Sequence, residues 1–358
     1  MLKNSKNLSA YDYGDACTFY LGAIIVTLIS QAVAGIVASA LSGAVPDIAS
    51  NGDFNTAFMI VIQLANAAFI YFYTKIKRKK FDFTFVRRDG DGKGITPAVI
   101  IVPIVAAVVL MVGMYLPTVW YGYFTRVIGV PKSAGEIELS SVSSIVMIII
   151  ASVALAPCME ETIYRGVLLH GMRREKTEVK AVMFSALAFT IMHMNVVQVV
   201  FQFALGVLSG FVALKSKRLL PSVILHATAN GLALLIQLPA IAAWLLSCEL
   251  WLTGHVAAAV FITLGLFVAA GGALYFIVKY AFGRAPEEAE RQTVAEVEPA
   301  AKEIEEAAQE GETDDEKANK VVEVRKAAGR SDGTFKYFIG IGICAVMLIV
   351  NLVTVIVS

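Results

Sequence analysis

Long runs of apolar residues, separated by short polar or charged stretches, dominate this chain from its first tens of residues to its end. Hydrocarbon contains no water to bind the backbone, so each N–H and C=O must be satisfied within its own segment, and runs of this length predict transmembrane helices. A membrane β-barrel would instead show short segments of alternating polarity. The pattern predicts spans over Ala16–Leu41, Asn55–Tyr73, Ile95–Trp120, Val142–Leu169, Ala181–Met194, Val196–Leu214, Leu219–Leu238, Val256–Tyr280 and Tyr337–Val357. The expected fold class is therefore all-α, a polytopic transmembrane bundle of about nine spans. Ala181–Met194 is short for crossing ~30 Å at 1.5 Å per residue.

Charge gives the bundle a direction. Lys75, Lys77, Arg78, Lys79, Lys80, Arg87 and Arg88 follow the second span; Arg173, Arg174 and Lys176 follow the fourth; Lys215, Lys217 and Arg218 follow the sixth. The alternate stretches Ser42–Phe54 and Leu245–His255 hold acidic residues and no Lys or Arg, while Tyr121–Ser141 is mixed. Basic loops stay on the cytoplasmic side, which predicts a cytoplasmic N-terminus. Gly283–Lys336 is rich in Ala, Glu and Lys and lacks aromatics until Phe335. It cannot bury a core and is expected as an acidic cytoplasmic linker.

Composition agrees: 57% of the 358 residues are hydrophobic and 16% charged, against about 25% charged in soluble domains. The net charge of +1 conceals strong segregation along the chain. Cys17, Cys158, Cys248 and Cys344 form no CxxC, so neither a zinc knuckle nor a redox motif is indicated. The first apolar run is too long for a signal-peptide core and reads as a retained span, which fits a bacterial plasma membrane. No inverted pair of broken helices is visible, which disfavours a transporter.

Ionisable groups inside a bilayer are expensive and mark function. They gather in three spans, at Glu160, Glu161 and Arg165, at His193, and at His226 with Asn230. Glu161 and Arg165 stand four apart and can neutralise one another, whereas Glu160 points about 100° away. Phe189 and His193 share a face, as do His226 and Asn230. Counting 1.5 Å per residue from the basic loops puts Glu160, His193 and His226 roughly 15, 20 and 10 Å deep, so they can meet in the inner half of the membrane. A carboxylate and an imidazole can deprotonate water while imidazole and amide donors hold an oxyanion. Alternatively Glu160, His193 and His226 could bind zinc and leave a position for water. Gly206 and Gly210 form a GxxxG of the kind that packs membrane helices.

Three of these stretches match motifs: Glu160–Arg165 (EETIYR) fits EExxxR, Phe189–His193 (FTIMH) fits FxxxH and His226–Asn230 (HATAN) fits HxxxN. In that order, on separate membrane helices, they resemble the CPBP intramembrane protease family, which includes CAAX prenyl endopeptidases and the bacterial Abi proteins. The resemblance covers about Val142–Leu238 and implies an intramembrane endopeptidase, glutamate-dependent or zinc-dependent, with no cofactor fixed beyond possible use of zinc. It implies that Glu160 and His193 activate water, that His226 and Asn230 hold the oxyanion, and that Glu161, Arg165 and Phe189 shape the site. The implied partners are membrane lipid and a hydrophobic or lipidated peptide or membrane-protein segment, with no nucleic acid. The organisation expected is N-terminal transmembrane helices at 1–141, the protease-like core at 142–238, an eighth-span region at 239–282, the linker at 283–336 and a last helix at 337–358. The rival reading, motivated by the linker and extra span, is a non-catalytic membrane scaffold or bacteriocin-type immunity protein.

Overall fold

The computed structural model describes residues 9–80, 96–129, 141–280 and 336–346. They form helices α1 (Tyr13–Leu41), α2 (Gly52–Ile76), α3 (Pro97–Val127), α4 (Val142–Arg173), α5 (Glu178–Met192), α6 (Val199–Ser216), α7 (Leu220–Leu235), α8 (Pro239–Gly254), α9 (Val256–Tyr280) and α10 (Lys336–Val346). Local chemistry sets the starts. Asp12, Asn51 and Ser141 accept from the backbone N–H three residues on, capping α1, α2 and α4. Pro97, Pro221 and Pro239 occupy the first turns of α3, α7 and α8, where a missing N–H loses nothing.

The all-α bundle is as expected, but the number of spans differs. Among the described residues six helices are long and apolar enough to cross a membrane, or seven if α7 and α8 make one broken span. At 15 residues α5 reaches only about 22 Å. Leu238 must be extended ahead of Pro239, which ends α7 and turns α8 away by 83°. Most of Leu245–His255, expected as a loop, is thus helical, and its Glu249 accepts a 2.6 Å hydrogen bond from Tyr115 of α3. Arg87, Arg88, most of the linker and the end of the last predicted span lie outside the described residues.

Polar contacts collect the helix ends. Lys79, after α2, pairs with Asp15 in the first turn of α1. Glu178 at the start of α5 pairs with Arg173 at the end of α4 (2.8 Å) and approaches Lys215 at the end of α6 (4.0 Å). Lys336 at the start of α10 donates to Thr18 of α1 (3.1 Å). Lys176 lies over the Tyr13 ring at the start of α1, so the described members of the three basic clusters lie at one end of the bundle.

Small residues set the spacing inside. A Cβ on Gly206 would stand 3.0 Å from that of Ala186, and one on Gly210 would stand 3.0 Å from a Val182 methyl, so the GxxxG brings α6 against α5. α4 is one continuous helix that widens to π geometry over Ile149–Leu155 and again over Thr162–Leu169. Pro157 lies between the two; it has no N–H to give the preceding turn. The buried core draws on α1, α3, α4, α5, α6, α7 and α10 and includes Phe19, Leu110, Leu168, Phe189, Leu205 and Leu225.

The contact between α1 and the end of α4 gives a direct test. A Cβ on Gly171 would lie 2.2 Å from the Ala16 Cβ and 2.8 Å from the Asp12 carbonyl, whereas one on Gly35 meets nothing within 4 Å. Gly171→Ala is expected to lower stability by about 1–3 kcal/mol, and Gly35→Ala to be neutral or slightly stabilising. Thermal unfolding of the purified protein in detergent measures both.

Candidate active site

The site is built where α4, the end of α5, α6 and α7 meet. Glu160 and Glu161 are the last residues of the α-helical turn between the two π-helical stretches, and π geometry is often found at functional positions. His193 follows the last residue of α5, and Met194 then takes a left-handed φ of 48°, turning the chain towards α6. His226 and Asn230 lie on the middle of α7.

Glu161 is the hub. Its side chain is fully buried, and three groups converge on it: Arg165 at 3.1 Å and His226 Nδ1 at 2.9 Å on one oxygen, and the Ser209 hydroxyl at 2.6 Å on the other. Removing a carboxylate and a guanidinium from water costs several kcal/mol per ion and is offset only when further hydrogen bonds complete the pair. Here Arg165 also donates from Nη2 to the Gly206 carbonyl (2.9 Å) and lies 4.6 Å above the Phe189 ring. The predicted i,i+4 pair is present, and it is tied to α6 and α7 as well as to itself.

This hub orients the first imidazole. A carboxylate can only accept, so the His226 proton facing Glu161 is on Nδ1 and Nε2 is directed elsewhere. The second imidazole is oriented by backbone: His193 Nδ1 lies 2.8 Å from the Phe189 carbonyl, which places its proton there too. Phe189 packs edge-on to both rings, at 4.7 Å from His193 and 5.4 Å from His226. Both Nε2 atoms approach the same Glu160 oxygen, each at 3.8 Å. That oxygen is buried and makes no hydrogen bond within the protein. The Glu160 and His193 side chains keep 21% of their surface open while His226 keeps 1%, so access comes from the Glu160–His193 side.

Asn230 is placed differently. Its Nδ2 donates 2.7 Å to the carbonyl of Ser152, in the first π-helical stretch of α4. One of its two N–H groups therefore ties α7 to α4 and only the other is available to a ligand. Sequence reasoning did not find Ser209, Ser152 or the Gly206 carbonyl. The GxxxG pattern points to close packing at Gly206 but carries no sign that its carbonyl receives an arginine.

A four-coordinate zinc with bonds of about 2.0–2.1 Å holds its ligands about 3.4 Å apart. The two 3.8 Å separations are wider, and among the described residues no group of three or more His, Cys, Asp or Glu is arranged to hold a metal ion. Glu160, His193 and His226 do not form a closed cage as they stand.

Comparison with known families places this geometry. Residues 142–232 match the family described as type II CAAX prenyl endopeptidase Rce1-like, which bears out the resemblance to the CPBP/CAAX intramembrane proteases. The match takes in α4, α5, α6 and most of α7, the four helices that meet at the site. No curated protein and no solved structure matches the chain.

The hub has a measurable consequence. Glu161→Gln leaves the buried guanidinium of Arg165 without its counter-charge, and a loss of about 3–5 kcal/mol is expected. Adding Arg165→Met to Glu161→Gln is expected to recover part of it, because no uncompensated charge then remains. Thermal unfolding of the single and double variants in detergent reads the difference.

Proposed function

Starting from a chain that carries the CAAX-type intramembrane protease family in residues 142–232, we propose that it hydrolyses a peptide bond with water activated by Glu160 and His193. The observation that carries this reading is the convergence of two imidazole Nε2 atoms on one unpartnered carboxylate oxygen. A separation of 3.8 Å is too long for a direct hydrogen bond and suits a single water shared between carboxylate and ring.

In this mechanism Glu160 takes a proton from water as the oxygen attacks the scissile carbonyl, and His193 holds the same water through Nε2. The carbonyl π electrons move onto oxygen. His226 donates to that oxyanion from Nε2; with Nδ1–H committed to Glu161 it must be the imidazolium to do so, and the Glu161 carboxylate stabilises that form. The remaining N–H of Asn230 is the second donor. Collapse of the intermediate breaks the C–N bond, and Glu160 passes its proton to the departing amine.

The substrate class that fits is a hydrophobic or lipidated peptide, or a segment of a membrane protein, entering from the open Glu160–His193 side. The basic end shared by Lys79, Arg173 and Lys215 supports a cytoplasmic N-terminus and a site in the inner half of a bacterial plasma membrane. No role is assigned to the acidic linker.

Glu160→Gln is expected to reduce turnover by at least ~10²-fold while unfolding as the wild type does, assayed in liposomes on quenched fluorescent peptides with and without a farnesyl cysteine. Unchanged turnover would remove Glu160 from the chemistry, and absence of turnover in both wild type and variant would favour a non-catalytic scaffold. Turnover that withstands a chelator supports water activation by Glu160. Loss that zinc restores would reassign Glu160, His193 and His226 as ligands.

A further inference from the structure

Ser209 belongs to no motif, yet its hydroxyl makes the shortest of the three contacts to Glu161, at 2.6 Å. It comes from α6, one turn beyond Gly206, whose carbonyl holds Arg165. Ser209 is completely buried. Its bond reaches Oε2, whereas Arg165 and His226 both reach Oε1. With Oε1 alone held, the carboxylate could still rotate about its last bond and exchange its oxygens. Ser209 fixes the second oxygen and so fixes the plane of the group. The direction of the His226 Nδ1–H follows from that plane, and with it the direction in which Nε2 is presented towards Glu160.

We propose that Ser209 is a positioning residue of the active site, holding the Glu161 carboxylate so that His226 keeps its Nδ1–H on Glu161 and turns Nε2 to the reacting atoms. The assignment rests on the hydrolytic reading given above. Ser209 touches neither the water nor the substrate; it acts through Glu161. The hydroxyl also gives Oε2 a donor in a low dielectric, where an oxygen left bare would be costly.

A comparison serine exists within the same bundle. Ser185 is equally buried and its hydroxyl also ties two helices together, donating 2.9 Å to the Tyr164 carbonyl, but it bonds to no ionisable group. Ser209→Ala and Ser185→Ala delete the same atom from similar surroundings, so a purely structural role predicts the same behaviour for both.

The experiment uses full-length protein in nanodiscs with 15N-labelled histidine, and turnover of the quenched peptides in liposomes beside it. In wild type and Ser185→Ala the His226 resonances of the neutral ring are expected to report one tautomer, protonated on Nδ1. In Ser209→Ala they are expected to report a mixture, with kcat lower by roughly ten- to a hundred-fold and KM within about two-fold. Ser209→Thr, which keeps the hydroxyl, is expected to restore the single tautomer. A single unchanged tautomer in folded Ser209→Ala, or a loss of kcat matched by Ser185→Ala, would overturn the positioning role. The tautomer readout needs no substrate, so its result stands apart from that of the Glu160→Gln assay: a Glu160→Gln protein with unchanged turnover would sink the assignment of Glu160 as the base, and a wild type without turnover the hydrolytic reading, while the His226 spectra report on Ser209 separately.

Discussion

A carboxylate buried without water must find its donors inside the protein, and Glu161 finds them on three helices. Arg165 lies one turn along α4, Ser209 on α6 and His226 on α7. The energetic demand of that one group explains much of the surrounding sequence. Gly206 must be small so that α6 can approach α5, and its backbone must be near enough to receive Arg165. Phe189 must be aromatic to lie under the guanidinium and to separate the two imidazoles. A half-satisfied network in this setting would be worse than an apolar core, so the helices are required to meet in one arrangement.

That arrangement divides labour between neighbouring residues of one helix. Glu161 points into the bundle, where Arg165, Ser209 and His226 converge on it. Glu160, rotated by a residue, keeps a buried oxygen without a partner facing the two imidazoles, on a side chain that is partly open. The π-helical stretches on both sides of the pair belong to the same design: a widened turn frees backbone carbonyls, and Asn230 takes up that of Ser152. Asn230 is therefore as much a fastener between α7 and α4 as a donor for an oxyanion.

Much of this was legible in the sequence. Continuous apolar runs gave the helices because lipid leaves no alternative, and the i,i+4 spacing gave the Glu161–Arg165 pair because one helix suffices to determine it. Residues at Glu160, His193 and His226 could be singled out as expensive charges in hydrocarbon. What could not be read depends on tertiary distance. Ser209 and Glu161 are 48 residues apart and Asn230 and Ser152 are 78 apart, and a serine in a membrane helix carries no mark of what it faces. The six or seven spans among the described residues differ from the nine expected for related reasons: α5 has only 15 residues, and the bend before α8 hinges on the Leu238–Pro239 step.

The central claim is that a carboxylate and two imidazoles from three helices face one another in a lipid-embedded pocket. Solid-state NMR in liposomes can test it by dipolar recoupling between a 13C-labelled Glu160 carboxyl and the 15N-labelled Nε2 atoms of His193 and His226. Coupling to both rings, at the range set by the two 3.8 Å contacts, is the result the structure predicts. A Glu160 carboxyl that couples to neither ring, and instead to lipid acyl chains, would contradict it.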